Sequence, residues 1–275
     1  MASLSTTSGI AVAITSGKGG VGKTSVTVNL ALALAGLGHT VAVLDADFGL
    51  CNLDVMLGLT PGAHVGDVLA GEKSWRDVVV PGPKGIQVIP AGSGIRGLTS
   101  LTPTHWSRIT DVIASASAAF DFLLIDTAPG IADNVLELVR LADRVLVVTT
   151  YEPTAVVDAY AMTKLLSNVH GADRTRDLGI VVNDARTQSD AQAVFRQLDA
   201  AARRFLKRDL KYCGCIVHDQ HVADAVIEQQ PVLATRPASP ASLGFRRLAM
   251  NVASWRPDGP IARAEFERME APRCA

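Results

Sequence analysis

Eight consecutive residues carry the strongest chemical signal in the chain: Gly17-Lys18-Gly19-Gly20-Val21-Gly22-Lys23-Thr24. They fit G-x-x-x-x-G-K-[ST] without a gap. Small residues let successive backbone N–H groups face inward, and such a row of donors cradles phosphate oxygens. The closing lysine, Lys23, places a cation within reach of the β- and γ-phosphates of a nucleoside triphosphate. The Thr24 hydroxyl is a hard oxygen donor suited to Mg²⁺. Gly19, Gly20, Val21, Gly22 and Ser25 complete the cradle at a helix N-terminus, where a pyrophosphate rests favourably. The chemistry that fits is binding of Mg-ATP and in-line attack of water on the γ-phosphate.

That chemistry needs carboxylates, and two apolar runs end in them. Thr40–Asp45 runs into Asp45-Ala46-Asp47, and both acids share a face if the strand continues. A carboxylate there can orient an attacking or a metal-bound water, and a helix N-cap is the alternative use. Phe122–Asp126 is a second apolar strand ending in Asp126, followed by Thr127-Ala128-Pro129-Gly130. Asp126 is expected to hold Mg²⁺ through water. Asn183 ends a third apolar run, where a turn-forming asparagine is the alternative reading. His218 and His221 are three apart, but no thiol or carboxylate cluster joins them, and they read as loop histidines.

The elements that must position these groups follow from the hydrophobic pattern. Strands are expected at Ile10–Thr15, Thr40–Asp45, Ile86–Pro90, Phe122–Asp126, Arg144–Thr149, Leu178–Asn183 and Leu210–Ile216. They are continuous Val/Ile/Leu-rich runs, as in strands covered on both faces. Helices are expected at Lys23–Leu37, Thr104–Ala119, Asp133–Leu141, Thr154–Val169 and Ser189–Arg208. The alternation predicts an α/β fold: a doubly wound, mostly parallel sheet with helices on both faces. The expected organisation is a polar lead over 1–9, one ATPase domain over 10–255 and a charged tail over 256–275.

Two surfaces invite a partner. Val194, Leu198, Ala201 and Phe205 form an apolar stripe along Ser189–Arg208. Arg203, Arg204, Lys207, Arg208 and Lys211 fall opposite it, as a solvated face or a site for an acidic partner, anionic lipid or DNA backbone. No aromatic interleaves with those charges in this arrangement, so base stacking is not expected. Ala241, Phe245, Leu248, Val252 and Trp255 also recur at helical spacing. They form either a last core helix or an amphipathic membrane-binding one.

The bulk numbers narrow the class. The 275 residues are 48% hydrophobic with a net charge of -1, so bulk charge points to neither nucleic acid nor membrane. The four cysteines, Cys51, Cys213, Cys215 and Cys274, contain no C-x-x-C pair and lack zinc or iron–sulfur spacing. Cys213 and Cys215 read as strand thiols in a reducing cytosol. No signal peptide or membrane-spanning stretch is expected, which implies a cytoplasmic protein.

The early second lysine, Lys18, makes the loop resemble the deviant Walker A motif, K-G-G-x-G-K-[ST], of the MinD/ParA family. The resemblance implies an ATP-dependent homodimer in which Lys18 crosses to the partner's nucleotide. It assigns Asp47 to positioning the attacking water, Asp45 to supporting the metal shell, and the Gly130 N–H to sensing the γ-phosphate. Asn183 would read the adenine edge, Val217 and His218 stand in its second adenine-side loop, and Glu152 would meet ribose or the partner subunit. Asp47-Phe48-Gly49-Leu50-Cys51-Asn52-Leu53-Asp54 resembles the D-x-G-L-x-N-x-D switch of the MinD branch, placing Asn52 in that switch.

Val65–Gly71, Val88–Gly94 and Glu152-Pro153-Thr154-Ala155 further resemble the FlhG/FleN subgroup, which sets flagellar number. That implies as partners a FleQ-like transcription activator, an FlhF-like GTPase and peripheral contact with the inner face of the cell membrane, with DNA an unlikely partner. Met1–Gly9 contains no D-Q-A-x-x-L-R segment, so stimulation of the GTPase is not part of this expectation.

Overall fold

The structure, a computed structural model, describes residues 9–49, 52–92, 101–169 and 178–256. Its centre is an eight-stranded sheet in the order β3-β4-β2-β5-β1-β6-β7-β8. The strands are β1 (Ile10–Thr15), β2 (Val41–Ala46), β3 (Val80–Pro81), β4 (Gln87–Ile89), β5 (Phe122–Thr127), β6 (Arg144–Thr149), β7 (Leu178–Ala185) and β8 (Lys211–Val217). Only β3 runs antiparallel, against β4 at one edge. The expected α/β doubly wound sheet is therefore present, with boundaries moved by one or two residues.

The side-chain period of two sends alternate strand residues to opposite faces. Val12, Ile14, Val43 and Leu124 pack on one face against the helix α1 (Lys23–Gly36). Ala42, Leu44, Leu123 and Ile125 pack on the other face, against α4 (Pro103–Ala119). α1 is buried nearly all round from Lys23 to Leu34, because α10 (Pro240–Ala253) covers its far side. Chain order reverses about β1, which carries the phosphate-loop sequence at its carboxyl end. A doubly wound sheet opens its ligand crevice at that point.

Short elements escaped the periodicity reading: α2 (Asn52–Met56), α3 (Val65–Ala70), α8 (Gln220–Ile227) and α9 (Val232–Thr235). Helices of four to eight residues hold too few turns to show a hydrophobic face. The remaining helices, α5 (Asp133–Arg140), α6 (Pro153–Val169) and α7 (Gln188–Ala201), fall where the pattern placed them, except at one end of α7.

The α-helix α7 stops at Ala201 and continues as a π-helical turn, Ala202–Leu206, closed by Lys207 at φ 54°. The wider turn rotates the later side chains. Leu206 packs against the core and Phe205 is 64% exposed. Phe205 therefore does not belong to the buried stripe. It lies among the basic residues with the Arg204 guanidinium 5.0 Å from its ring centroid, so an aromatic does interleave there. Arg203 pairs with Asp199 and Asp209, which makes this face less positive than its lysines and arginines alone imply.

α10 resolves the second surface. Ala241, Phe245, Leu248, Val252 and Trp255 are all 3% exposed or less, so this stripe is a core helix face and is not free for lipid. Among the described residues no helix is long and apolar enough to cross a membrane. Cys213 and Cys215 lie on β8 as expected. Cys213 packs with the α1 side of the sheet and Cys215 with the α7 side, so the two thiols face opposite layers. Cys51, Cys274 and the expected tail beyond Arg256 lie outside the described residues.

Candidate functional site

The loop after β1 turns through two left-handed glycines, Gly20 at φ 78° and Gly22 at φ 85°. At Gly22 a side chain is also excluded by space, since an added Cβ would lie 2.3 Å from Asn183 Nδ2. The Ser16 hydroxyl donates to Lys18 O at 2.7 Å and fixes the first turn. The loop opens on a cleft of about 810 Å³ at the carboxyl edge of the sheet.

The cleft gathers most of the residues singled out by type and spacing. Lys18, Gly19, Gly20, Val21 and Gly22 line its floor with Lys23, Thr24 and Ser25. Asp47, Asn52 and Glu152 stand on one part of the rim, and Asn183, Val217 and His218 on another. Asp45, Asp126 and Gly130 do not reach the surface of the cleft.

The two buried acids lie directly behind the floor. Asp45 and Asp126 are register partners on β2 and β5, and strand alternation turns both toward α1. They are 1% and 2% exposed. Thr27 on α1 donates to Asp126 Oδ1 at 3.0 Å. Burial pushes the Asp126 carboxyl up to about 6, against the pull of the Thr24 hydroxyl and the Lys23 ammonium. Burial also holds Asp45 well above the carboxylate range, helped by repulsion from Asp126. Burial lowers Lys23, with Asp126 and Asp47 opposing. Burial is the largest cause of all three shifts, so charge on Asp45, Asp126 and Lys23 is costly at this depth. The donors grouped there, the Thr24 hydroxyl and two carboxyls, are hard oxygens that suit Mg²⁺.

Five of the expected positions make specific contacts. β2 ends at Ala46, and the Asp47 N–H turns back to Asp45 Oδ1 at 3.0 Å. Asp45 and Asp47 therefore do not share a strand face: one is buried and the other opens on the cleft. The Gly130 N–H donates to Ser16 O at 3.0 Å and does not face the cleft. Lys18 Nζ binds within its own chain, to Glu152 Oε2 at 3.0 Å and Thr154 Oγ1 at 3.1 Å. Asn183 Nδ2 donates to Val21 O at 2.9 Å, so its amide is tied to the phosphate loop. His218 Nδ1 sits 2.6 Å from Asp184 Oδ1 at the exposed mouth.

Sequence reasoning missed the outer wall. Val222, Ala223 and Val226 of α8 line the cleft, as do Val55 and Met56 of α2. One local signal was available: Asp219 precedes α8 and accepts the His221 N–H, which is an N-cap, and Val222 and Val226 follow at i, i+4.

Comparison with known proteins agrees with this geometry. A family model described as ParA, "NUBPL iron-transfer P-loop NTPase", matches residues 9–253. The antiactivator FleN of Pseudomonas aeruginosa is 44% identical over 256 residues, which is 93% of this chain and 90% of the relative. The flagellum site-determining protein YlxH of Helicobacter pylori is 32% identical over 207 residues, covering 74% of this chain and 68% of that one. The structure of the septum site-determining protein MinD of Pyrococcus horikoshii, complexed with Mg-ADP, superposes with a TM-score of 0.75 at 25% identity. That match covers 88% of this chain and 95% of the other. With the phosphate loop, the oxygen donors behind it and these likenesses together, the chain belongs to the ParA/MinD family of P-loop NTPases and is an ATPase that uses ATP and Mg²⁺.

Proposed function

We propose that this ATPase is a switch that dimerises on Mg-ATP and regulates flagellar number and placement through partner proteins. The observation that carries the reading is the likeness to an antiactivator, FleN, over nearly the whole chain, supported by the flagellar site-determining relative. The partners would be a FleQ-like activator and an FlhF-like GTPase. Two exposed apolar side chains, Val55 and Val226, line the cleft. Apolar residues left exposed around one opening favour a second copy as their cover.

In this reading Lys23 and the loop N–H groups bind the β- and γ-phosphates. Thr24, Asp126 and Asp45 would hold Mg²⁺, whose charge offsets that of the phosphates and of the buried acids. Asp47, on the cleft side of its turn, orients the attacking water. Lys18 leaves Glu152 and reaches the partner's nucleotide, adding a cation where charge develops. Asn52 and Gly130 act as switches, and a γ-phosphate contact at Gly130 requires the bond to Ser16 O to open. Asn183 gives one amide N–H to Val21 O, which leaves its Oδ1 and its second N–H for the base.

Among the described residues no cluster of His, Cys, Asp or Glu could hold a metal for an iron-carrier role of the kind named by the family model. The nearest pair of thiols, Cys213 and Cys215, faces opposite sides of the sheet. The test is the number of flagella per cell in a strain carrying Lys23→Ala. Extra or misplaced flagella with normal division are expected. Normal flagella with minicells or lost DNA would move the protein to division-site placement or DNA partitioning and overturn the flagellar assignment.

A further inference from the structure

The α8 wall of the cleft belongs to a segment that runs from α8 to the start of α10. Two side chains pin it. Asp219 stands at its near end. One carboxylate oxygen accepts the His221 N–H at 3.1 Å and caps α8, and the other accepts the Ala241 N–H at 3.1 Å at the start of α10. The side chain is 5% exposed. Burial raises its carboxyl, but the Ala241 and His221 hydrogen bonds outweigh burial and hold it below the ordinary range. Asp219 therefore joins the base-side end of the cleft to a helix that is itself buried against α1.

Asn29 stands beyond the far end. Its Oδ1 accepts the Leu233 N–H of α9 at 3.0 Å, and its Nδ2 donates to Ser25 O at 2.9 Å. Asn29 is 2% exposed, and Ser25 follows Thr24 in the first turn of α1. Both ends of one short amide are used on opposite sides. The side chain is a strut of fixed length between the phosphate-binding helix and the segment that carries the wall. Losing it would leave the buried Leu233 N–H without its acceptor, which a packed interior tolerates poorly.

We propose that Asn29 and Asp219 are positioning residues that set the distance between the phosphate cradle and the α8 wall, and with it the fit of the nucleoside. This rests on reading the cleft as an ATP site with the base toward α8. Neither side chain is aimed at the phosphates. Their loss should therefore be felt by a ligand that has a base and not by one that consists of phosphates alone.

The test compares Mg-ATP with Mg-tripolyphosphate by calorimetric titration of the full chain and of Asn29→Ala, Asp219→Ala and Val222→Trp. For both pin variants the expected result is ATP affinity about tenfold weaker and tripolyphosphate affinity within about twofold. KM for ATP should rise while kcat holds. Asp219→Asn, which keeps one acceptor, should recover part of the loss. Val222→Trp obstructs the wall directly and should weaken ATP selectively by itself.

Equal losses for both ligands would mean general loosening and overturn the proposal. So would unchanged ATP affinity in the pin variants while Val222→Trp lowers it. If Val222→Trp has no selective effect, the base does not lie against α8, and the proposal fails together with the reading beneath it. Should Asn29→Ala not fold, Asp219→Ala at the rim carries the same comparison.

Discussion

Replacing Asp126 by asparagine should make the nucleotide-free protein more stable near neutral pH while abolishing its ATPase activity. Burial raises the Asp126 carboxyl from 3.8 to about 6. About two units at about 1.4 kcal/mol each put about 3 kcal/mol against folding once the group is ionised. The sign follows from proton uptake. Between 3.8 and about 6 the folded chain holds this proton more tightly than the unfolded chain does, so stability falls as pH rises through that window. Asparagine has the same shape, keeps an oxygen to accept the Thr27 hydroxyl, and carries no charge to bury. It also removes the anion beside Lys23, which offsets part of the gain.

The expected gain for Asp126→Asn is therefore about 1–3 kcal/mol at pH 7.5 and roughly half of that at pH 5, midway through the window. The assay is urea unfolding with chelator at both pH values, comparing midpoints at equal slope. His39, whose pKa burial lowers, pulls the wild-type profile the other way, but it is present in both proteins and cancels in the difference. Added Mg-ATP should stabilise the wild type strongly and the variant little. An asparagine variant less stable than wild type at pH 7.5, or a difference that does not change with pH, would refute the account of these buried acids.

Four other outcomes follow from the same geometry. Gly22→Ala should abolish nucleotide binding, since the residue needs φ 85° and its Cβ would meet Asn183 Nδ2 at 2.3 Å; equilibrium binding of a fluorescent ATP analogue reads this. Glu152→Gln breaks an exposed ion pair and should change stability by less than about 0.5 kcal/mol in thermal unfolding. Lys18→Ala should leave ATP binding within about threefold but lower kcat at least about tenfold and prevent ATP-dependent self-association in sedimentation velocity. Phe205→Ser should cost less than about 0.5 kcal/mol in urea unfolding, because the ring is 64% exposed on its π-helical turn.

The parts of this molecule that could be read from its sequence are those where one physical requirement dominates. A strand buried on both faces must be apolar throughout, so β1, β5, β6 and β7 announce themselves. A loop that wraps phosphates must be glycine-rich, so residues 17–24 fix the site and the crevice that holds it. Where two requirements compete, the pattern misleads. Phe205 continues an α-helical stripe in sequence, but a wider turn brings Leu206 to the core in its place. Asp45 and Asp47 look equivalent by spacing until the chain turns at Ala46 and leaves one buried and one open to the cleft.

The α8 wall was barely legible, for a different reason. Its helix is eight residues long, and its position is set by Asp219 and Asn29, partners 22 and 204 positions away from the groups they bind. Periodicity reports what a segment packs against, not where a distant side chain holds it. The phosphate end of the cleft is consequently encoded in one contiguous stretch, while the nucleoside end is encoded in contacts that exist only once the sheet has assembled. A relative that keeps residues 17–24 but loses either pin should still bind phosphate and should differ in its choice of nucleotide.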